Sequence, residues 1–439
     1  MPSLLQRYQL IAFSTTWLAY ASLYFLRKPL GVIKPSLETE FRVSKTDLGW
    51  LDVGLLLPYA LVQISGSQLT DRFGSRIVIS FCLTIAGSAM FTFGMWNSYT
   101  MLVVIMFING AMQGPCWPAC CKAVCAWYPD ARLNSIVGFM STSVFIGGAL
   151  GTYLAVQLQS LYGWRMVHVP VGVACVGLGV LVFCVLHTPE ERHLSVPGKE
   201  VVVSSLQRIS EEQPGKKSFW QMWKIPAVME ISMTVLCLKV VRYCMFMWLP
   251  MYLVHYLNYS VARAGIFSTV FDIGGSLGSP AIGFILDRKF KKSTLLGMWV
   301  FVTISSVSMG LFALTARWGV FYNGLFMFLA GATNGGTDSL LAGSVSMKMG
   351  EANGMKLGAA VTGLINGVGT LGAVMEGPIV GIVSDNYGWG AVFTLMILLS
   401  AVASLMIFKA MTVLRRTERI QSSLSSSSSS QEDKVPLIA

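Results

Sequence analysis

Charge is what this chain has least of: Asp, Glu, Lys and Arg make up 12% of its 439 residues, where ~25% is ordinary for a soluble domain. So few charges cannot clothe a water-facing surface of this size, which excludes a soluble globular enzyme. Histidine is scarcer still, at four residues. His168 and His255 fall toward the ends of apolar segments and His187 and His193 near a polar stretch, so none is placed mid-segment to relay protons. The nine cysteines offer no disulfide framework. Cys82, Cys116, Cys120, Cys121, Cys125, Cys175, Cys184, Cys237 and Cys244 all lie in or at the ends of apolar segments, without the paired geometry that bridges need. Cys116, Cys120, Cys121 and Cys125 have helical spacing but no neighbouring histidine or acid, so they read as small apolar packing residues. No metal or other cofactor is expected.

What the chain has is long apolar runs over its whole length, with 54% hydrophobic residues. About 20 such residues cross a bilayer core, where the backbone must satisfy itself as helix. The pattern predicts an all-α integral membrane protein of twelve transmembrane helices, near residues 9–33, 48–70, 75–96, 99–127, 131–160, 163–187, 225–256, 261–286, 293–315, 318–345, 357–384 and 389–412. An even number of spans puts both termini on one side. Of the 32 Lys and Arg residues, 22 fall on that side, six on the other and four within spans, so the positive-inside rule makes the termini cytoplasmic. The net charge of +11 is thereby used up as a topology signal, leaving no nucleic-acid surface. Residues 1–8 are too short for a cleavable leader, and the first span is expected to be retained. Asn258-Tyr259-Ser260 is a formal glycosylation sequon, but its loop is too short to carry a glycan clear of the membrane.

The two halves repeat. Gly66-x-x-Leu69-x-Asp71-Arg72-x-Gly74-x-Arg76 follows the second span, and Gly283-x-x-Leu286-Asp287-Arg288 follows the eighth. Tyr162-Gly163-Trp164 opens the sixth span and Tyr387-Gly388-Trp389 the twelfth. Such spacing is that of a duplicated six-helix unit. It divides the chain into an N-terminal bundle (1–187), a linker (188–224), a C-terminal bundle (225–412) and a tail (413–439).

The loop motif resembles the signature of the major facilitator superfamily. In that family the glycine permits close helix packing, and the acid and base make ionic contacts between helix ends. Within it, three helices resemble the organophosphate:phosphate antiporter family: Tyr20-x-x-x-Tyr24-x-x-Arg27-Lys28 in the first, Asn109-Gly110-x-x-Gln113-Gly114-x-x-Trp117-Pro118-x-Cys120-x-Lys122 in the fourth, and Arg242-Tyr243 through Trp248, Pro250, Tyr252 and Leu253 in the seventh. Residues 225–287, with Glu230, Lys239 and Phe271-Asp272-Ile273-Gly274-Gly275, also resemble the animal sugar-phosphate exchangers. The resemblance implies exchange of a phosphorylated metabolite for inorganic phosphate, with Arg27 and Arg242 holding the phosphate from either side.

Elementary chemistry points the same way. A cation at the bilayer centre costs about 2.5–3.5 kcal/mol on insertion scales, and Arg27 and Arg242 lie in equivalent helices of the two halves. Paired guanidiniums repel unless an anion lies between them, and their donor forks match phosphate oxygens. Tyr20 and Tyr24 share the Arg27 face and either bond phosphate or pack as ordinary aromatics. Lys28 faces away from Arg27, toward the surface or the site. Lys239 shares a face with Arg242 and either adds charge to the pocket or pairs with Asp272, Asp338 or Glu376.

The chain also departs from its family. Val144 and Gln63 stand where bacterial glycerol-3-phosphate members carry histidine and lysine. Asp338 and Glu376 are intramembrane acids where resembling members are mostly neutral. They oppose a dianion unless paired or protonated, which keeps open a proton-coupled transporter of another organic anion or zwitterion. A ligand-sensing protein that retains the fold without flux is the third reading. Glycine runs such as 146–151 and 274–278 follow no strand and read as close-packing surfaces rather than nucleotide loops.

The tail is expected to be disordered from Thr417, with an unbroken serine run at 425–430. It ends with Asp433 four residues before Leu437-Ile438, resembling an acidic dileucine sorting motif read by cytoplasmic adaptors. That favours an endomembrane location, the lysosome ahead of the endoplasmic reticulum or plasma membrane. The expected partners are a small anionic substrate, inorganic phosphate, the lipid bilayer and those adaptors.

Overall fold

The computed structural model describes residues 3–43, 45–198, 219–259, 261–315, 318–352 and 355–432. Among the described residues all regular structure is helical, and it builds twelve membrane-crossing helices. The first half holds α1 (Leu4–Arg27), α2 (Lys45–Gly66), α3 (Ser75–Thr92), α4 (Tyr99–Gln113, resumed as Cys116–Trp127), α5 (Leu133–Tyr162) and α6 (Val169–Val185). The second holds α7 (Val228–His255), α8 (Val261–Lys289), α9 (Thr294–Leu314) and α10 (Val320–Leu340). A last helical stretch, Gly358–Glu432, breaks at Gly388 into α11 and α12. Gly388 sits at φ 75°, a conformation glycine adopts without strain.

Ten of these helices are long and apolar enough to cross a membrane by composition alone; α1 and α10 are not among them. Both of these helices are interrupted, as α4 also is. α1 opens with a capping box, in which Gln6 N–H donates to Ser3 Oγ at 3.2 Å and Ser3 N–H to Gln6 Oε1 at 2.8 Å. It stops at Arg27 and resumes as Pro29–Phe41, because Pro29 has no N–H to continue the ladder. α10 passes into a π turn, Leu341–Val345, within one turn of Asp338, and ends as Ser346–Glu351. π turns inside helices gather at functional sites.

The repeat seen in the sequence recurs in the packing. Gly110 of α4 faces the backbone of α2 so closely that an added Cβ would lie 2.0 Å from the Leu55 carbonyl. Gly331 of α10 faces α8 in the same way, 2.1 Å from the Phe271 carbonyl. Small residues at such crossings let membrane helices approach and exchange dispersion contacts, the main attraction available in lipid. The core divides accordingly into a cluster around Leu26, Leu51 and Phe93 in the first half, one around Tyr252, Phe312 and Phe393 in the second, and a larger one joining the halves.

The last helical stretch continues through Glu432. Residues 413–421 are mostly strong helix formers, which extends α12 out of the apolar span.

Candidate functional site

The first half supplies Arg27. Its Nε donates to Gln113 Oε1, and Gln113 Nε2 in turn donates to Asn109 Oδ1 at 2.6 Å. The guanidinium lies 4.4 Å from the Tyr59 ring centroid and 5.1 Å from that of Tyr24, so two aromatic faces hold it by cation–π attraction. Tyr20 packs 5.9 Å from Tyr24 and 4.8 Å from Trp117. Nη2 of Arg27 is buried with no hydrogen-bond partner. A buried charged donor left open in this way is costly.

The second half supplies two more cations. Lys239 Nζ donates to Asn366 Oδ1 at 2.6 Å and to Thr370 Oγ1 at 3.2 Å. Arg242 Nη1 donates to Asp338 Oδ2 at 3.0 Å, while Asp338 Oδ1 is buried without a partner. Phe145 of α5 crosses from the first half to lie 5.1 Å from the Arg242 guanidinium. The structure brings both arginines together: each interacts electrostatically with Tyr24 and Tyr243, and Lys239 with both arginines.

Of the pairings open to Lys239 in the sequence, the structure makes none at ion-pair distance. Asp338 goes to Arg242, and Lys239 is left to a neutral amide and a hydroxyl. Glu376 is buried apart from this cluster, with Trp248 as its hydrogen-bond partner and Oε1 unmatched. Asp272 is half-buried and acts electrostatically on Lys28 and Arg242. Lys28 turns inward rather than to the surface, its Nζ 3.7 Å above the Phe246 ring of α7. Tyr59, Asn366 and Thr370 belong to the site and carry no motif; their only signal is a polar group inside an apolar span.

The loop motif does a different job. Asp71, after α2, accepts from the backbone N–H groups of Ala359 (3.2 Å) and Ala360 (2.8 Å) at the start of α11, and from Lys122 Nζ at 2.5 Å. Asp287, at the end of α8, accepts from Asn134 Nδ2 (2.8 Å), Ser135 N–H (2.7 Å) and Ser135 Oγ (2.6 Å) at the start of α5. Each carboxylate meets the positive end of a helix from the other half. The bases of the motif make other contacts. Arg72 lies over Phe73 and Arg288 over Phe284, while Arg76 reaches Glu191 at 3.2 Å and His187 at 3.0 Å. Gly74 turns the chain at φ 85°, and a Cβ on Gly66 would meet Val62 at 3.0 Å.

These bonds lie on the face that carries the described ends of the chain, called here the terminal face. On the same side Trp117 Nε1 donates to the Ala342 carbonyl in the π turn at 2.7 Å, Ser344 Oγ to Asn134 Oδ1 at 2.7 Å, and Lys348 Nζ to the Asp130 carbonyl at 3.1 Å. On the opposite side, Gly49 of α2 and Gly377 and Gly381 of α11 face open space. The halves are closed on the terminal face. Asp433, Leu437 and Ile438 of the sorting motif lie outside the described residues.

The comparisons agree with this architecture. The family model described as Major Facilitator Superfamily matches residues 16–375. A candidate glycerol-3-phosphate transporter of Arabidopsis thaliana is 29% identical, over 89% of this chain and 88% of that protein. A glucose-6-phosphate exchanger of Homo sapiens is 25% identical, over 98% and 96%. Among solved structures, the transporter FucP in its outward conformation superposes with a TM-score of 0.69 at 14% identity, covering 92% of this chain and 99% of that one. These relatives are transporters and exchangers rather than enzymes. The chain belongs to the major facilitator superfamily of membrane transporters.

Proposed function

We propose that the chain exchanges a phosphorylated metabolite, a sugar phosphate or glycerol phosphate, for inorganic phosphate by alternating access. The observation that carries this reading is the meeting of Arg27 and Lys28 from the first half with Lys239 and Arg242 from the second, beside two acids, Asp338 and Asp272, with Nη2 of Arg27 buried and unmatched. Four cations against two carboxylates leave a surplus of two positive charges, which suits a dianionic phosphate ester. Phosphate oxygens would accept from Arg27 Nη2 and from the Arg242 fork, displacing Asp338 from the latter. Tyr20, Tyr24 and Tyr59 wall the Arg27 side and limit the water that reaches it.

On this reading residues 1–187 and 225–412 rock as two bundles about the site, joined by the linker 188–224. The terminal face is the cytoplasmic one, so the state described is closed to the cytoplasm. The tail motif at Asp433, Leu437 and Ile438 directs the protein to the lysosome through sorting adaptors.

The test is exchange of labelled phosphate in proteoliposomes. Arg27→Lys and Arg242→Lys each replace a fork by a point charge; hydrogen bonds to charged groups contribute about 1.5–3 kcal/mol, so exchange falls roughly 10- to 100-fold. Unimpaired exchange in both variants sinks the assignment. The buried, unmatched oxygens of Asp338 and Glu376 favour a second reading, in which these acids carry protons with another organic anion or a zwitterion. Flux driven by a pH gradient and indifferent to phosphate selects it.

A further inference from the structure

Between the first turn of α5 and the last turn of α8, on the terminal face, lies a cleft of about 380 Å³ lined by Arg132, Ser135, Phe284, Asp287, Arg288 and Lys291. Its size falls within the roughly 300–1,000 Å³ of small-molecule sites. The single acid in the lining is already engaged. Both Asp287 oxygens accept hydrogen bonds from Asn134 and Ser135 at the α5 N-terminus. Arg132, Arg288 and Lys291 form no ion pair among the described residues. Three unmatched cations therefore face a concavity that contains no free anion of its own.

The wall beside them is apolar. The Arg288 guanidinium lies 4.5 Å from the ring of Phe284, and that ring is 47% exposed on a membrane-crossing helix, where its outer surroundings are acyl chains. A soluble phosphate ester would leave this wall unused. A phospholipid uses both parts, its phosphate among the cations and its chains against Phe284. α5 and α8 belong to different halves, so such a ligand would also bridge them.

We propose that this cleft binds the phosphate headgroup of an anionic phospholipid, and that the bound lipid favours the state closed on the terminal face. The cations provide long-range attraction to an acidic leaflet, the concavity selects one lipid from it, and the closed contact between α5 and α8 completes the cleft. When the halves part on this face, the cations separate and the lipid is released. The site is distinct from the central cluster, and its occupant is not transported.

The full chain, purified and mixed with phosphatidylcholine and phosphatidylserine, is read by native mass spectrometry for retained lipid, with no cargo present. The expected result is preferential retention of phosphatidylserine, reduced roughly 100-fold in affinity by combining Arg132→Gln, Arg288→Gln and Lys291→Gln. A charge-matched variant of the same face, with Arg7→Gln, Arg415→Gln and Arg416→Gln, retains it. Equal loss in both variants reduces the effect to general surface attraction and overturns the proposal. Displacement of the lipid by inorganic phosphate at equal concentration also overturns it, because the cleft is then a site for free anions. Should the triple variant fail to fold, Lys291→Glu alone, a change at an exposed side chain, is expected to lower retention, and undiminished retention overturns the proposal. Because lipid retention is measured without transport, its outcome is independent of the exchange activity.

Discussion

Arg242 Nη1 lies 3.0 Å from Asp338 Oδ2, so the second half places its own anion on the arginine that its family resemblance assigns to phosphate. The pair is incomplete. Only one carboxylate oxygen is used, and the other is buried without a partner. A phosphate that offers the same guanidinium two oxygens competes well against it.

Asp338→Asn is therefore expected to destabilise the ligand-free protein, by about 3–5 kcal/mol if Arg242 is left a buried, unpaired cation. Phosphate then binds without displacing a carboxylate, so it stabilises the variant more than the unaltered protein. Thermal unfolding with and without phosphate measures both effects. An identical phosphate shift in the two proteins would mean that Asp338 does not compete for the site.

How much of this is legible in the sequence depends on the kind of signal. Arg27 and Arg242 stand out because a cation in an apolar span is costly and demands a reason. The repeat stands out because both copies kept their glycines and acids. Tyr59, Asn366 and Thr370 do not, since a neutral polar residue in a membrane helix has many uses and no spacing rule singles it out. The partner of Lys239 is undecidable from sequence for a similar reason: three acids lie within the spans, and only the fold shows that Asp338 is taken by Arg242. The ends of α1 and α10 are blurred by the polar residues that make these helices functional.

The paired glycines predict a packing effect that is equal in the two halves. Gly110→Ala and Gly331→Ala each drive a methyl into a carbonyl of the neighbouring helix, Leu55 and Phe271 respectively. Each is expected to cost about 1–3 kcal/mol, the usual range for overpacking, and to lower the melting temperature in detergent. Gly310→Ala, where an added Cβ meets nothing, serves as the reference and should leave it unchanged.

The face opposite the chain termini carries a pH-dependent clamp. Glu40 receives the Trp164 indole N–H at 2.5 Å and the Arg165 guanidinium. Burial by itself raises this carboxyl, but the two donors outweigh it and hold it below the usual carboxylate range. A depressed folded value stabilises the protein above the unfolded carboxylate pKa of about 4.3, and the effect is lost as pH falls through the folded value. Glu40→Gln should thus melt lower than the unaltered protein at neutral pH and no differently in strong acid. With 41% of the Glu40 side chain exposed, the difference is small and shrinks further with salt.

Asp71 and Asp287 make the strongest case for a switch, because each secures the same face by the same device from opposite halves. Asp71 holds the start of α11 and Asp287 the start of α5. Neither bond survives if the halves part there, so both carboxylates stabilise the closed state and not the open one. Removing one charge, by Asp71→Asn or Asp287→Asn, is expected to shift the balance by about 1–2 kcal/mol, or roughly 5- to 30-fold toward opening. Cys121 is a native reporter: it is buried, and its sulfur packs beside Gly343 of α10 across the boundary between the halves. With the exposed Cys184 replaced by Ser, labelling of Cys121 by a water-soluble maleimide should accelerate by that factor in either variant. The effect of Asp287→Asn should be the larger, since all three of its bonds cross between the halves, whereas Asp71 also pairs with Lys122 of its own half. Acceleration in one variant alone would show that a single half controls the terminal face, and unchanged labelling in both would remove the carboxylates from the switch.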